Sequence, residues 1–378
     1  MNFDLSEEQQ LLAESVRRFV ARDYAFDARK RILAAPEGMS APVWQTFAEM
    51  GLLGLPLPED AGGFGGGAVD MMSVMEAIGD ALVVEPYLPT VGLGAQLVAR
   101  AGSPAQRAAI LPAVAEGMMK LAFASTEDGS RYDLGRVATL ARREGGDYVI
   151  DGAKRVVIGG PLADLIAVSV RTSGAQGDAH GISLLLVDAK SPGLAMTPYR
   201  TLDGLRACDL LFEGVRVDAD ARLGAEGEAL PVIEAVVDYA TALVCAEAVG
   251  AIRYANEATL EYLKARKQFG VPIGTFQALQ HRMVDMTITY EQARSMASLA
   301  CTVVDAAPDA PERRRAVSAA KIKIADACRH VSQEAVQLHG GMGMTEELKV
   351  SHTFRRLTMI AQQFGDADHH LARFAALP

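Results

Sequence analysis

Arg266-Lys-Gln-Phe-Gly270 decides the fold of this chain, together with Gln277 and the run Gln337-Leu-His-Gly-Gly-Met-Gly343. These stretches combine an arginine, a phenylalanine, glutamines and paired glycines within an otherwise helical half of the sequence. The arginine guanidinium is a permanent, forked cation that suits phosphate oxygens, and adjacent glycines let backbone amides approach a ligand closely. The pattern therefore predicts a site that holds the pyrophosphate of a nucleotide.

The composition excludes several classes of protein. The chain has 378 residues, too many for one simple core, so two or three domains are expected. The formal net charge is -10, which argues against nucleic-acid binding because that requires clustered positive charge. The polar N-terminus shows no signal-peptide pattern, and we expect no membrane span because no apolar run reaches roughly 18 residues. The four cysteines are widely spaced, which is typical of a reduced, cytoplasmic protein.

Helical patterns occupy two separate parts of the chain. Residues 1–119 and residues 227–378 both carry apolar side chains at helical spacing. In the second part, the spacing predicts long helices over residues 236–262 and 312–337. Long apolar helices need partners, so we expect a C-terminal helical bundle that drives assembly into oligomers.

The intervening residues 120–226 have a different texture. They contain short β-branched segments punctuated by Gly, Asp and Pro, at residues 148–152, 165–170 and 182–187. These segments predict a β domain, which we expect to be antiparallel because no helices separate the strands. Helices, then strands, then helices in separate blocks favour an α+β fold over a doubly wound sheet.

Together these motifs resemble those of the acyl-CoA dehydrogenase family, over essentially the whole chain. Thr126-Glu-Asp-Gly129 is similar to the family's Thr-Glu-Pro-Gly loop, and Tyr148-Val-Ile-Asp-Gly-Ala-Lys154 is similar to its Tyr-x-Ile-Asn-Gly-x-Lys strand pair. The resemblance implies an N-terminal helical domain, a middle antiparallel β domain and a C-terminal four-helix bundle. It also implies FAD as cofactor, an acyl-CoA substrate, an electron-transfer acceptor, and a homo- or hetero-oligomer, either a dimer or a tetramer.

The resemblance assigns residues to the FAD site. Thr126 opens the loop that lies against the flavin in the family. The residues that would reach the FAD of a neighbouring subunit are Arg266, Phe269, Gln277, Gln337, Gly340 and Gly341. His339 either packs or donates to a phosphate. His369 and His370 do not predict a metal site, because adjacent histidines point apart and no supporting ligand set accompanies them.

The catalytic base is where the sequence departs from the family. Related enzymes remove the thioester α-proton with a glutamate while the β-hydride passes to the flavin. At the usual position of that glutamate this chain has Phe364, and at the position used by a subset of relatives it has Ala240. Neither side chain can accept a proton, so the base is unknown from sequence. Glu247 and Asp366 are the candidates for a displaced base, and the alternative for Glu247 is a pair with a basic residue.

The flavin wall also departs from the family pattern. Where relatives commonly have Met-Trp-Ile-Thr-Asn after the strand-pair lysine, this chain has Arg155-Val-Val-Ile-Gly159, with neither an aromatic ring nor a hydroxyl. Contacts that the family makes to a neighbouring subunit's FAD are thus present, while contacts to the chain's own flavin are not. This asymmetry predicts a heteromeric enzyme whose partner hosts the flavin ring and supplies the base.

Several alternatives remain open at this point. The heteromer would resemble the small-subunit, pimeloyl-CoA-dehydrogenase-like branch of the family, or the two-gene dehydrogenases of bacterial steroid side-chain degradation. The chain could equally retain its own FAD despite sequence drift and act as a self-sufficient homo-oligomer with a displaced base. It could also be a non-catalytic subunit that shapes its partner's pocket, or a flavin oxidase or monooxygenase on the same fold. Acyl chain length is not encoded in any motif.

Overall fold

Residues 6–306 and 310–377 are described by a computed structural model. Their α-helices, in chain order, are α1 (Glu7–Asp23), α2 (Phe26–Ala34), α3 (Ala41–Glu49), α4 (Ala68–Ala81), α5 (Ala95–Ala101), α6 (Pro104–Ala115), α7 (Leu230–Ala265), α8 (Gln277–Ala306), α9 (Ala310–His339), α10 (Lys349–Gln362) and α11 (Ala367–Ala375). The strands are β1 (Leu121–Ala124), β2 (Leu140–Glu144), β3 (Asp147–Ile158), β4 (Leu165–Arg171), β5 (Ile182–Asp188), β6 (Leu194–Arg200), β7 (Arg206–Val217), β8 (Arg222–Leu223), β9 (Lys267–Gln268) and β10 (Val271–Pro272). The predicted α+β order of helices, strands and helices is confirmed.

The chain packs into two units. The helical unit comprises the described residues within Met1–Arg31, Ala68–Val83 and Thr241–Pro378, and the sheet unit comprises Ile32–Gly67 and Val84–Ala240. Each unit therefore combines segments that are distant along the chain. The predicted boundaries after residues 119 and 226 divide the chain into consecutive segments and not into these packed units, so they stay a prediction.

The sheet unit contains strands in the order β6-β7-β3-β2-β4-β5-β8, and β1 pairs with β4. Most neighbours are antiparallel, as expected, but β1 runs parallel to β4 and β2 meets β4 in parallel at one residue pair. The predicted antiparallel β domain is confirmed for most strand pairs, and the parallel β1–β4 pair is the departure from it. The β2–β3 hairpin connects β1 to β4 along the chain, and it provides the crossover connection that parallel neighbours require. Ile150, Val168, Leu185 and Phe212 belong to the core beneath this sheet.

The helical unit brings α4 together with the C-terminal helices. The carboxylate of Asp305, at the end of α8, accepts hydrogen bonds from the backbone N–H groups of Ala68 (2.8 Å) and Val69 (2.9 Å) at the start of α4. It satisfies two of the N–H groups that a helix start leaves unpaired. Asp305, which is distant in sequence, therefore acts as the N-cap of α4.

Helix α7 carries the longest apolar pattern in the described part of the chain. Its length and composition alone would allow it to cross a membrane, which the sequence analysis did not anticipate, but 89% of its most apolar window is buried inside the protein. Core helices of soluble proteins have the same property. The four cysteines, Cys208, Cys245, Cys301 and Cys328, are free and buried, which confirms that each packs as a small apolar residue.

Candidate functional site

The predicted nucleotide-binding arginine lies at the base of a short hairpin in the helical unit. Arg266 follows the last residue of α7, and the next residues pair as β9 and β10 around Phe269 and Gly270. These two turn residues have φ angles of 54° and 82°, as a two-residue hairpin turn of type I′ requires. The guanidinium of Arg266 is exposed and makes no hydrogen bond or ion pair with any described residue.

Phe269 is the most exposed large apolar side chain in the described part of the molecule. It is 91% accessible to solvent, and its only described ring neighbour is Phe276, at 6.1 Å between centroids. A turn residue with positive φ is strained for any side chain with a Cβ. Phe269 and the partly exposed Phe276 therefore form a small apolar surface on this hairpin.

The hairpin is joined to the glycine pair by a stacked ring contact. The imidazole of His339 lies against the ring of Tyr262, with centroids 4.5 Å apart and planes at 29°. The Nδ1–H group of His339 donates to the carbonyl of Ala335 (2.8 Å), and burial lowers the pKa of His339. The histidine is therefore neutral and packed, in agreement with the packing alternative. Sequence reasoning missed Tyr262, whose only signal was its position one turn before Arg266.

The glycine pair itself offers open backbone. Gly340 has a φ of 60°, and a methyl group added at Gly340 or Gly341 would meet nothing within 4 Å. Gln337 and Gln277 are exposed like Arg266, and both belong to the helical unit. A guanidinium, two carboxamides and unobstructed backbone form a donor set that fits a pyrophosphate. The assignment of these residues to an FAD site stays a prediction.

The flavin-side motifs lie in the sheet unit, where two of them are joined by an ion pair. The buried carboxylate of Glu127 accepts from Lys154 Nζ (2.7 Å) and from the backbone N–H groups of Ala138 (2.6 Å) and Thr139 (3.0 Å). Burial alone would raise the pKa of Glu127, but Lys154 and these donors outweigh it, and the net pKa is lowered. The carbonyl of Thr126 accepts from the N–H of Arg155 (2.8 Å). Glu127 of the Thr-Glu loop and Lys154 of the strand pair therefore bind each other, so these two family-like motifs have a structural role in holding the loop against the strand.

The wall that follows Lys154 is irregular and apolar. Strand pairing with β7 slips between Lys154 and Val157, and Val156 sits in this bulge with a φ of 51° and 47% exposure. For a β-branched residue this is an outlier, and bulges of this kind are common next to functional sites. Asp209 holds the bulge by accepting from Val156 N–H (3.1 Å) and Arg155 Nη1 (3.1 Å). No side chain from 156 to 158 offers a hydroxyl or an aromatic ring to a flavin.

Glu247, the first candidate base, is engaged in a buried ion pair within the helical unit. Its two carboxylate oxygens accept from Arg356 Nε (2.6 Å) and Nη2 (2.7 Å) in a bidentate arrangement. Both side chains are almost fully buried. A base must reach the carbon that it deprotonates, and here both oxygens face the guanidinium. The geometry favours the alternative interpretation, in which Glu247 pairs with a basic residue.

Asp366, the second candidate base, caps a helix. Its carboxylate accepts from the backbone N–H of His369 (2.8 Å) at the start of α11. Asp366 follows Phe364, which occupies the family's usual base position with a φ of 60°, and Gly365, with a φ of 125°. The carboxylate therefore serves as an N-cap, a role that turns it towards the start of α11.

His369 and His370 do not form a metal site in the described structure. Their rings lie edge to face at 5.1 Å, and no group of three or more His, Cys, Asp and Glu residues suited to a metal occurs among residues 6–306 and 310–377. His370 is buried, and its Nε2–H donates to the carbonyl of Phe364 (3.1 Å) while Nδ1 accepts from Ser318 Oγ (3.3 Å). Burial, followed by the nearby charge of Lys321, lowers the pKa of His370 to about 3.

This lowered pKa predicts a pH-dependent stability. In the unfolded chain His370 takes up a proton near pH 6.5, but in the folded protein it does so only near pH 3, so acid favours the unfolded state. Between pH 7.5 and 5.5, His370 should remove on the order of 1 kcal/mol from the free energy of unfolding. Urea unfolding at both pH values should show that loss in the native protein and not in His370→Asn. The exposed His180 provides the control substitution, and equal pH dependence in all three proteins would contradict the assignment.

Comparison with known proteins places this geometry in a family. Three family models match successive parts of the chain: the acyl-CoA dehydrogenase N-terminal domain over residues 6–118, the middle domain over 122–215 and the C-terminal domain over 230–376. The chain belongs to the acyl-CoA dehydrogenase family. It is therefore an oxidoreductase of the class that dehydrogenates or reduces acyl-CoA thioesters, and FAD is its cofactor.

Individual relatives cover nearly the whole of this acyl-CoA dehydrogenase family member. Acyl-CoA dehydrogenase FadE12 of Mycobacterium tuberculosis (strain ATCC 25618 / H37Rv) is 31% identical over 370 residues, which cover 95% of this chain and 93% of the relative. The solved ChsE4-ChsE5 complex from Mycobacterium tuberculosis aligns with a TM-score of 0.90 at 27% identity, over 100% of each chain. The FAD complex of PigA aligns with a TM-score of 0.91 at 26% identity, over 99% of this chain and 98% of that chain.

Proposed function

We propose that this chain is one subunit of a heteromeric, FAD-dependent acyl-CoA dehydrogenase whose related partner supplies the base. The observation that carries the proposal is the asymmetry between its two sets of FAD-site residues. The residues that the family resemblance assigns to a neighbouring FAD, around Arg266 and the Gly340–Gly341 pair, are all present and exposed, whereas Phe364 and Ala240 stand at the two expected positions of the base. The solved relative described as a ChsE4-ChsE5 complex supports a heteromer by analogy.

In this proposal the helical unit contributes to a flavin held by the partner. Arg266 would pair with the pyrophosphate oxygens, and Gln277 and Gln337 would donate from their carboxamides. Gly340 and Gly341 would let the backbone approach the phosphates, and Phe269 would pack against the partner. When bound, FAD supplies the hydride acceptor that side chains lack. Transfer of electrons to an external acceptor and a cytoplasmic location belong to the same proposal.

The flavin absorbance spectrum of the purified protein tests this proposal. We expect the chain expressed alone to be colourless, and to become yellow and active with acyl-CoA only when a related chain is co-expressed. Close to one FAD per chain, bleached by acyl-CoA in the isolated protein, would instead establish a self-sufficient enzyme. Turnover by the related chain on its own, with this chain changing only the KM for acyl-CoA, would favour a pocket-shaping subunit. Rapid reoxidation of reduced flavin by oxygen would favour an oxidase or monooxygenase.

Substitution of Arg266 tests the trans contact directly. Loss of a charge-assisted hydrogen bond to phosphate should weaken FAD binding by the assembled enzyme about ten-fold or more. Arg266→Gln should show this effect in a fluorescence titration of the apoprotein complex with FAD. Lys267→Gln is the matched control, because Lys267 is the next residue and is an exposed cation on the same hairpin. Equal FAD affinity in the two variants would remove Arg266 from the site.

A further inference from the structure

The two motifs of the proposed pyrophosphate site lie at the ends of two different helices. Arg266 directly follows α7, and the Gly340–Gly341 pair directly follows α9. A diphosphate is a small ligand, so both motifs can bind it together only if the two helix ends are fixed relative to each other. Groups of a binding site must be held within about 0.5 Å of the productive geometry by packed side chains. The contacts that join the ends of α7 and α9 therefore decide whether the two motifs act together.

The backbone of Arg266 is fixed from both sides. Its N–H group donates to the carbonyl of Tyr262 (2.8 Å), and its own carbonyl accepts from the N–H of Ile273, which follows β10 (2.8 Å). The next residue packs on the last turn of α7, because a methyl group added at Gly274 would lie 3.0 Å from the carbonyl oxygen of Leu263. The base of the hairpin is therefore attached to the helical turn that carries Tyr262.

His339 fixes the glycine turn at the end of α9. Its side chain is buried, and its Nδ1–H group donates to the carbonyl of Ala335 (2.8 Å), which orients the ring. The turn after His339 folds back against it, since a methyl group added at Gly343 would lie 3.0 Å from the Cβ atom of His339 and 2.7 Å from the carbonyl oxygen of Val336. Burial lowers the pKa of His339, so the ring stays neutral beside the glycine pair.

The stack of Tyr262 on His339 connects these two fixed segments. The ring centroids lie 4.5 Å apart, and the ring planes meet at 29°. Stacked rings have a preferred separation and a preferred relative orientation, so the contact defines both for the helix ends that carry them. An aliphatic side chain in place of one ring would fill space without defining the orientation. The stack therefore couples the end of α7 to the end of α9.

We propose that Tyr262 is a positioning residue of the pyrophosphate site. Through its stack on His339, it holds Arg266 in register with the glycine pair, so that both motifs bind one diphosphate. This inference rests on the proposed function, which places the partner's FAD at these two motifs. The role depends on the ring of Tyr262 and not on its hydroxyl, which makes no hydrogen bond with any described residue.

FAD binding by the assembled enzyme tests the role of the ring. Tyr262→Leu should weaken FAD binding about three- to ten-fold, whereas Tyr262→Phe keeps the stack and should stay within about two-fold of the native affinity. His339→Leu removes the same contact from α9 and is the second variant if Tyr262→Leu does not fold. Fluorescence titration of the apoprotein complex with FAD measures the affinities.

Tyr254→Leu is the matched control for a general loss of packing. Tyr254 lies on the same helix, but its ring faces Lys349, whose Nζ atom is 3.7 Å from the ring centroid. This control should bind FAD like the native protein. Native affinity in Tyr262→Leu and His339→Leu would overturn the proposal. An equal loss of affinity in Tyr262→Phe or in Tyr254→Leu would also overturn it, because the effect would not come from the stack.

Hydrogen–deuterium exchange of the isolated chain tests the coupling without flavin. In Tyr262→Leu, exchange in a peptide spanning 337–345 should be about three-fold faster or more, although the substitution lies on α7, and Tyr262→Phe should match the native protein. Unchanged exchange in folded Tyr262→Leu would overturn the proposal. A native complex that takes up no FAD would instead refute the proposed function, and the exchange result would still decide whether Tyr262 fixes the glycine turn.

Discussion

Replacing Glu247 by alanine should lower the free energy of unfolding by about 3–5 kcal/mol, because the buried guanidinium of Arg356 would lose the carboxylate that binds it in a bidentate pair. The two side chains form a bidentate pair at 2.6 and 2.7 Å, and both are almost fully buried. The cost arises because a buried charge loses its bidentate contact, and not from the net strength of the pair. Urea unfolding monitored by circular dichroism measures the change.

A double substitution separates the two contributions. Glu247→Leu combined with Arg356→Met removes both charges and keeps apolar volume, so its stability should lie far closer to that of the native protein than that of either single variant. If the double variant were as unstable as the sum of the single variants, the pair would not be the source of the effect.

The same residue distinguishes the structural role from catalysis. Glu247→Gln keeps the shape of the side chain but removes its charge, so we expect a loss of stability in proportion to the weakened pair. A displaced base would give the opposite pattern, with native stability and turnover reduced by about 10²–10⁴-fold. Native stability together with lost turnover would therefore restore Glu247 as the base.

The sequence predicted local features well where one stretch contains the whole signal. The apolar spacing over residues 236–262 and 312–337 lies within α7 and α9, because helical periodicity is a property of neighbouring residues. The β-branched segments likewise correspond to β3, β4 and β5. The Arg266 and Gly340–Gly341 motifs are likewise recognised from neighbouring residues, and their assignment to FAD stays a prediction.

Features that depend on distant pairs could not be predicted. Glu247 stood out as a charge on an apolar helix, but its partner lies 109 positions away, and no local pattern identifies it. The parallel pairing of β1 with β4 depends on the path of the intervening hairpin. Phe269 and Phe364 have positive φ angles, which their side-chain type argues against.

The placement of α4 is the clearest case of information carried by distant contacts. Its periodicity predicts a helix with an apolar face but not the element that covers that face. In the structure, α4 belongs with the C-terminal helices, and its crossing with α7 is made by two glycines. A methyl group at Gly79 would overlap the carbonyl oxygen of Glu247, and one at Gly250 would overlap that of Glu76. The two backbones are therefore in contact, and any side chain larger than the hydrogen atom of glycine would prevent this contact.

The closeness of this crossing gives the second large prediction. Gly250→Ala forces α4 and α7 apart, and backbone carbonyls cannot move aside as a flexible side chain could. Separation also strains the ion pairs that span the crossing, in which Arg253 contacts Asp80 at 2.8 Å and Glu76 at 3.7 Å. We expect a loss of about 3 kcal/mol or more in the free energy of unfolding, and insoluble protein for Gly250→Val.

Gly79→Ala should reproduce the effect from the other helix, since the obstruction is reciprocal. Gly341→Ala is the control for stability, because a methyl group there meets nothing within 4 Å and its φ is not positive. That substitution should change the free energy of unfolding by less than about 0.5 kcal/mol. Alanine at Gly79 or Gly250 with native stability would show that the two helices do not cross in contact. In that case α4 would not depend on a close contact with α7 for its packing.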